Sequence, residues 1–168
     1  MIKQIHDLVC PTKKIYQDGN NYQVKWRNDC DIKYLDKLNI KEQKTYDIEL
    51  PMFQNNMWHF IRGVFDGDGC IYNSTTLDKK YNKEYTYQYI TFTTASLKFA
   101  NELNDLLQQN NIRSKVYLDK RNKKTHNNPT YYVKILHIPS VHIFKQLIYD
   151  NCKEWRLERK YEKFKQLL

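Results

Sequence analysis

Residues 60–69 read FIRGVFDGDG, and this stretch decides how the rest of the chain is interpreted. Met57, Phe60, Ile61, Val64 and Phe65 recur at three- and four-residue spacing, which is typical of an amphipathic helix. Two glycines interrupt this pattern, and each costs a helix about 1 kcal/mol relative to alanine. Helix-breaking residues kept at such a cost indicate a functional or closely packed site.

Two carboxylates, Asp66 and Asp68, lie at the predicted C-terminal end of this helix, where the helix dipole is negative. A carboxylate held there needs a compensating cation, and oxygen ligands of this kind suit Mg²⁺. Gly63 and Gly67 are about one helical turn apart. They therefore leave one face of the helix bare, and another backbone could approach it closely.

The Asp-Gly-Asp-Gly sequence also has simpler interpretations. It fits a tight turn that enters a β-hairpin, and the residues alone leave that alternative open. A calcium-binding EF-hand loop beginning at Asp66 is excluded. Cys70 stands where that loop needs a third oxygen ligand, and Ile71 stands where it needs a glycine.

The elements predicted from residue 53 onward follow the order αββαββαα. Strands are predicted at 70–76, 85–93, 115–121 and 130–138. Helices are predicted from Phe53, after a Ser96 cap, from Pro139 and over 153–168. We therefore expect an α+β fold in which helices back an antiparallel sheet.

Residues 1–50 are predicted to form an N-terminal extension and residues 51–168 the main domain, with Pro51 between them. In the extension we predict a strand through Tyr22 and Val24, a short helix carrying Ile32, and a strand over 46–50.

One face of the predicted sheet is polar and aromatic, whereas the other is apolar. In strand 85–93, Ile90 and Phe92 point to one side, and Tyr87 and Tyr89 point to the other. An antiparallel ribbon with such a face can lie in the major groove of double-stranded DNA. The candidate DNA-binding residues are Tyr72, Tyr87, Tyr89, Lys115, Tyr117, Arg121, Lys123, Lys124, Tyr132 and Lys134.

The charge of the chain supports a nucleic-acid partner. Lysine and arginine number 28 against 19 acidic residues, which gives a formal net charge of +9. A folded basic chain favours nucleic acid or another anionic surface as its partner. A solvated lysine-rich surface is the alternative, but tyrosines are interleaved with the basic run over 113–134, which favours a binding face.

The cysteines and the N-terminus predict where the protein acts. Cys10, Cys30, Cys70 and Cys152 form no C-x-x-C pair, and their spacing fits neither a zinc site nor a disulfide framework. No apolar signal region occurs in residues 1–14, and no apolar run is long enough to span a membrane. We expect a cytoplasmic protein of a bacterial or phage-infected cell, or an organellar protein, with no secretion signal and no membrane partner.

The segment 61–69, IRGVFDGDG, resembles the LAGLIDADG motif, and the longer HFIRGVFDGDGCI is similar to a common variant of it. The resemblance continues through the predicted element order into LERKYEKF, residues 157–164, which is similar to the closing helix of many such chains. It covers about residues 53–168. On these motifs the chain resembles the LAGLIDADG homing endonucleases of the single-motif, intron-encoded type.

This resemblance implies a fold and a reaction. Two motif helices would pack across a two-fold axis at the interface residues, with a divalent metal, Mg²⁺ or Mn²⁺, beneath them. Asp68 matches the metal ligand, with Gly67 beside it, and Asp66 matches an acid that is usually structural. Lys160 and Arg159 are candidates for a basic catalytic side chain. The motif and interface residues are Phe60, Gly63, Asp66, Gly67 and Gly69.

Members of the family carry either one motif per chain and dimerise, or two motifs in one longer chain. This chain carries one motif, yet its residues 22–51 resemble the tail of a preceding repeat that lacks its own motif helix. It is therefore either a homodimer with an extension or a truncated half of a two-motif enzyme. The expected activity is a metal-dependent double-strand break in a long DNA target, as in intron homing. The alternative is a non-cleaving binder, such as an intron RNA splicing cofactor or a DNA-binding regulator. The intact Asp68 favours the nuclease.

Overall fold

The computed structural model describes residues 2–40, 45–51, 53, 55–119, 129–152 and 154–165. The chain divides into two compact units, Met1–Lys41 and Glu42–Leu168, which are described separately.

The first unit consists of helix α1 (Ile2–Val9), strands β1 (Ile15–Asp18) and β2 (Asn21–Val24), and helix α2 (Asp29–Lys37). The two strands form an antiparallel hairpin, and Gly19 in its two-residue turn has a φ of +56°. Glycine adopts this left-handed conformation without strain, which explains the tight turn. The predicted strand at Tyr22 and Val24 and the helix that follows it are confirmed, whereas α1 and β1 were not predicted.

The second unit consists of α3 (Met57–Asp68), β3 (Cys70–Asp78), β4 (Lys83–Thr94), α4 (Leu97–Gln109), β5 (Lys115–Leu118), β6 (Tyr131–Ile135), α5 (Ile138–Tyr149) and α6 (Glu158–Lys165). The strands form one antiparallel sheet in the order β3-β4-β6-β5. The predicted element order and the α+β class are therefore confirmed.

Several element boundaries differ from those predicted. The motif helix α3 begins at Met57 rather than Phe53, because Asn56 before it has a left-handed φ of 72°. Strands β3 and β4 extend to the pair Asp78 and Lys83, beyond the predicted limits of 76 and 85, and a short hairpin turn joins them. Helix α6 begins at Glu158, five residues later than predicted.

An aromatic cluster joins the helices to the sheet. The Phe65 ring of α3 lies 5.8 Å from Phe92 of β4, 5.4 Å from Phe144 of α5 and 5.9 Å from Phe164 of α6, measured between ring centroids. All four rings are buried. The motif helix is therefore fixed by the same core that supports the sheet, and burial of each phenylalanine contributes about 1.5–3 kcal/mol.

The chain before α3 is attached to α4 by side-chain hydrogen bonds. Ser96 caps α4 by accepting the Phe99 N–H at 3.2 Å, and its hydroxyl donates to the Ile48 carbonyl at 2.6 Å. The Leu50 N–H donates to the Glu102 carboxylate at 2.7 Å. The predicted strand over 46–50 is wrong, because these backbone groups find side-chain partners instead of a neighbouring strand.

The apolar face of the sheet contains one buried amide that the alternation pattern did not predict. The Gln88 side chain donates to Asn73 at 2.9 Å and to the Lys163 carbonyl of α6 at 3.0 Å. These bonds attach the outer half of the β3–β4 hairpin to α6. Within the described ranges, no helix is long and apolar enough to cross a membrane.

Candidate active site and nucleic-acid interface

Asp66 is a buried carboxylate with both oxygens engaged. It is 5% exposed, and its Oδ1 accepts a hydrogen bond from the Tyr149 hydroxyl at 2.6 Å. Its Oδ2 accepts the Leu157 N–H at 2.9 Å. Burial and the bond to Asp66 raise the pKa of the Tyr149 hydroxyl, which stays protonated as the donor. Asp66 therefore links α3 to α5 and to the residue before α6.

Asp68 has the opposite environment. It is the last residue of α3 and is exposed. Its carboxylate forms no hydrogen bond or ion pair with any residue in the described part of the chain. Two carboxylates separated by one glycine thus differ completely, and only Asp68 has oxygens free to bind an external group.

Lys160 neutralises the end of the motif helix. Its ammonium group donates to the Phe65 and Gly69 carbonyls, each at 2.5 Å, and lies 3.5 Å from the Gly67 carbonyl. The residue is 4% exposed, and burial lowers its pKa, with a further contribution from the charge of Arg159. A cation at a helix C-terminus offsets the negative end of the dipole. Lys160 therefore holds the turn on which Asp68 lies.

The two predicted basic catalytic residues occupy different environments. Lys160 is buried against main-chain carbonyls, whereas Arg159 beside it on α6 is exposed. Their catalytic roles stay predictions.

The motif glycines fall into two groups. A Cβ atom added to Gly69 would lie 2.8 Å from the Phe65 carbonyl oxygen and 2.9 Å from its Cα, so the turn after α3 requires glycine. Gly63 and Gly67 are exposed, and a Cβ added at either would meet no atom of the described residues within 4 Å. Packing against the described part of the chain therefore does not explain them. The partly buried Phe60 lies on the same helix, with its ring 5.3 Å from that of Phe53.

The strand register places the predicted DNA-binding residues on one face of the sheet. Lys134 pairs with Thr91 and Lys115, and Tyr132 pairs with Thr93 and Tyr117. The facing pairs of the β3–β4 hairpin continue the same face. The described candidates that share it are Tyr72, Tyr87, Tyr89, Lys115, Tyr117, Tyr132 and Lys134. Arg121, Lys123 and Lys124 lie outside the described residues.

Aromatic rings support the charged groups of this polar face. The Lys134 ammonium lies 5.4 Å from the Tyr117 ring centroid and 5.3 Å from that of Tyr132, and the Lys115 ammonium lies 5.7 Å from Tyr117. Tyr72 and Tyr89 stack with ring centroids 4.8 Å apart. These contacts restrict the ammonium groups while leaving their hydrogens available to an anion.

Asp119 was not identified from the sequence. Its carboxylate accepts the Tyr132 hydroxyl at 2.6 Å. The sequence pattern gave no indication that a tyrosine of β6 would be its partner.

The described residues of one chain do not form a complete metal site. Among the described residues, no group of three or more histidine, cysteine or acidic side chains lies close enough to hold a metal ion. The exposed Asp68 carboxylate and the nearby Gly67 carbonyl are oxygen donors, which fit Mg²⁺ or Mn²⁺ in kind but are too few in number. A complete site would need donors from elsewhere, such as a second copy or a phosphate.

The family model for the LAGLIDADG-like domain matches residues 56–149, which run from the residue before α3 to the end of α5. This chain belongs to the LAGLIDADG family. The solved structure of an archaeal intron-encoded homing endonuclease, I-Vdi141I, complexed with DNA is similar, with a TM-score of 0.50 and 10% sequence identity. That similarity covers 66% of this chain and 65% of that chain, which is less than two thirds of its length, and it shows the fold. A comparison with curated protein sequences gives no match.

Proposed function

We propose that this LAGLIDADG protein is a site-specific DNA endonuclease that makes metal-dependent double-strand breaks in a long target site, the reaction of intron homing. One observation carries the proposal. Asp68 is exposed and unpaired among the described residues at the foot of the motif helix, whereas Asp66 two residues earlier is buried and fully engaged. A protein that only bound nucleic acid would have no use for the free carboxylate.

The proposed active form is a homodimer. One chain contributes one Asp68, and none of the residues that the structure describes covers Gly63 or Gly67 of α3. Two copies packed through Gly63 and Gly67 would bring their backbones close, as small residues permit, and would place the two Asp68 carboxylates together. Paired carboxylates provide the oxygen donors that a single chain lacks.

A bound Mg²⁺ or Mn²⁺ would activate water and neutralise charge developing on the phosphate. The protein's own residues would fix the geometry. Lys160 holds the Phe65 and Gly69 carbonyls, and Asp66 ties the same turn to Tyr149 and Leu157. Asp68 is therefore presented from a turn anchored on both sides, which limits the reorganisation needed for reaction.

The polar face of the sheet is the proposed DNA-binding surface. Its lysines, Lys115 and Lys134, would contact phosphates, while its tyrosines and threonines would meet base edges in the major groove. The similar endonuclease structure is complexed with DNA, and it has the same fold at 10% identity, which supports this assignment.

The deciding experiment incubates purified protein with DNA that spans the insertion site of its coding sequence, with Mg²⁺ or with EDTA. We expect a double-strand break with Mg²⁺ and intact DNA with EDTA. Binding without any break in either Mg²⁺ or Mn²⁺ would reject the endonuclease and favour the non-cleaving binder. Binding of the corresponding intron RNA would then be measured.

A further inference from the structure

Two neighbouring cavities lie where β6 ends and α5 begins. The larger one, of about 620 Å³, lies between the end of α4 and the start of α5, with Gln108 and Pro139 in its walls. The smaller one, of about 180 Å³, is walled by Lys115, Tyr117 and Lys134. Both are lined by Arg113, Ser114 and His137, so they form one continuous depression.

The depression collects positive charge. Arg113, Lys115 and Lys134 line it together with His137, and none of the described residues in its walls is acidic. Arg113 is exposed, and its guanidinium forms no ion pair with a residue in the described part of the chain. Cations gathered without acidic partners repel one another, so an anionic ligand would stabilise this arrangement.

A buried hydroxyl organises the wall of the larger cavity. Ser140 is 1% exposed, and its Oγ accepts the Arg113 main-chain N–H at 2.9 Å and pairs with His137 Nδ1 at 3.0 Å. The hydroxyl therefore fixes the backbone of Arg113 and the ring of His137 at the same time. Because Nδ1 is engaged, the remaining ring nitrogen, Nε2, is the one available to a ligand.

The depression is continuous with the polar face of the sheet. Lys115 and Lys134 belong to that face by register and also line the smaller cavity. The basic residues thus form a continuous track from the sheet, past the end of β6, to the first turn of α5. An extended polyanion fits such a track, whereas a small anion would need only one part of it.

We propose that this depression is a second phosphate-binding site, at which Arg113 and His137 hold the backbone of the DNA duplex beyond the segment that the sheet covers. The inference rests on the proposed function, in which the sheet binds duplex DNA. It adds Arg113, which lies between α4 and β5, and His137, which precedes α5, to the contact surface.

The test measures how duplex binding depends on salt. A fluorescent duplex of random sequence, long enough to extend past the sheet on both sides, is titrated in EDTA at several salt concentrations. Arg113→Ala is compared with wild type, with the charge-retaining Arg113→Lys, and with Lys98→Ala. Lys98 is an exposed lysine on α4 paired with Glu49, outside the depression, and serves as the matched control.

We expect Arg113→Ala to reduce the magnitude of the slope of log K against log salt by about 0.9, the value for one phosphate contact. Arg113→Lys should retain the wild-type slope, and Lys98→Ala should leave it unchanged. His137→Ala should weaken binding of the same duplex. A thermal unfolding curve for each variant shows that it is folded, which is expected because the Arg113 side chain is exposed.

The second site would be overturned if Arg113→Ala kept the wild-type slope while Lys134→Ala reduced its magnitude. That result would leave the sheet as the DNA-binding face. The proposal would also be overturned if Arg113→Ala changed the salt dependence of binding to single-stranded RNA but not to the duplex. That result would assign the depression to RNA. Because binding is measured without a divalent metal, loss of cleavage does not enter the result. Failure of the wild-type protein to bind duplex DNA would instead refute the proposed DNA-binding function itself.

Discussion

The two faces of the motif helix α3 differ in their contacts with the rest of the described structure. On the inner face, Phe65 is buried in the aromatic cluster, and both oxygens of Asp66 accept hydrogen bonds. On the outer face, Gly63, Gly67 and Asp68 are exposed, and no atom of the described residues lies close enough to require glycine at either position. Folding therefore explains the residues of the inner face, whereas no described residue explains those of the outer face, which the proposed function assigns to a second copy and a metal ion.

Asp68→Asn gives the largest expected effect on activity and tests the outer face. Replacing a residue that only orients a metal ligand costs about 10–100-fold in activity. Loss of the Asp68 ligand itself should therefore cost at least about 100-fold. The free energy of unfolding should change by less than about 0.5 kcal/mol, because the side chain is exposed and unpaired among the described residues. Cleavage rates and denaturant curves measure the two quantities, and a fully active variant would remove Asp68 from the mechanism.

Asp66→Ala gives the largest expected effect on stability and tests the inner face. It leaves the Tyr149 hydroxyl and the Leu157 N–H without an acceptor, and each unsatisfied buried group costs about 1–3 kcal/mol. We expect a loss of about 3 kcal/mol, measured by urea denaturation. Asp68→Ala is the matched control, and equal losses for the two variants would contradict the division between the faces.

Gly69→Ala should destabilise the chain by about 1–3 kcal/mol, because the new methyl group would crowd the backbone of Phe65. The same denaturation experiment tests this. A variant as stable as wild type would contradict this expectation, because it would mean that the turn after α3 can accommodate the methyl group.

Gly63→Ala should have a smaller effect that is opposite in sign. The methyl group meets no described atom within 4 Å, so improved helix propensity should stabilise the unassociated protein by about 1 kcal/mol. The same methyl group should weaken self-association through this face. Denaturation at low protein concentration and sedimentation at higher concentration separate the two effects, and unchanged association would move the interface away from Gly63.

The sequence predicted features that depend on local periodicity. The alternation in β4 identified Ile90 and Phe92 as buried and Tyr87 and Tyr89 as facing the polar side, and Ser96 was identified as a helix cap. These two predictions are correct because side-chain direction in a strand and the cap of a helix depend on neighbours within a few residues.

The sequence could not identify partners that are distant along the chain. It implied that a cation should offset the end of α3, but not that Lys160 of α6 would donate to the carbonyls there. It gave no indication that Tyr149 would bind Asp66. The strand predicted over 46–50 failed for a related reason. Periodicity cannot show whether a neighbouring strand exists, and here Ser96 and Glu102 take the backbone groups instead.

The proposed homodimer requires that the outer face of α3 packs against a second copy, so that two Asp68 carboxylates act together. The most direct measurement is the mass of the complex that the protein forms with its DNA target, by sedimentation or native mass spectrometry in Ca²⁺ or EDTA. We expect two protein chains on each duplex, and we expect Gly63→Leu to leave only one. A single chain on each duplex, in a preparation that cuts both strands when Mg²⁺ is added, would contradict it.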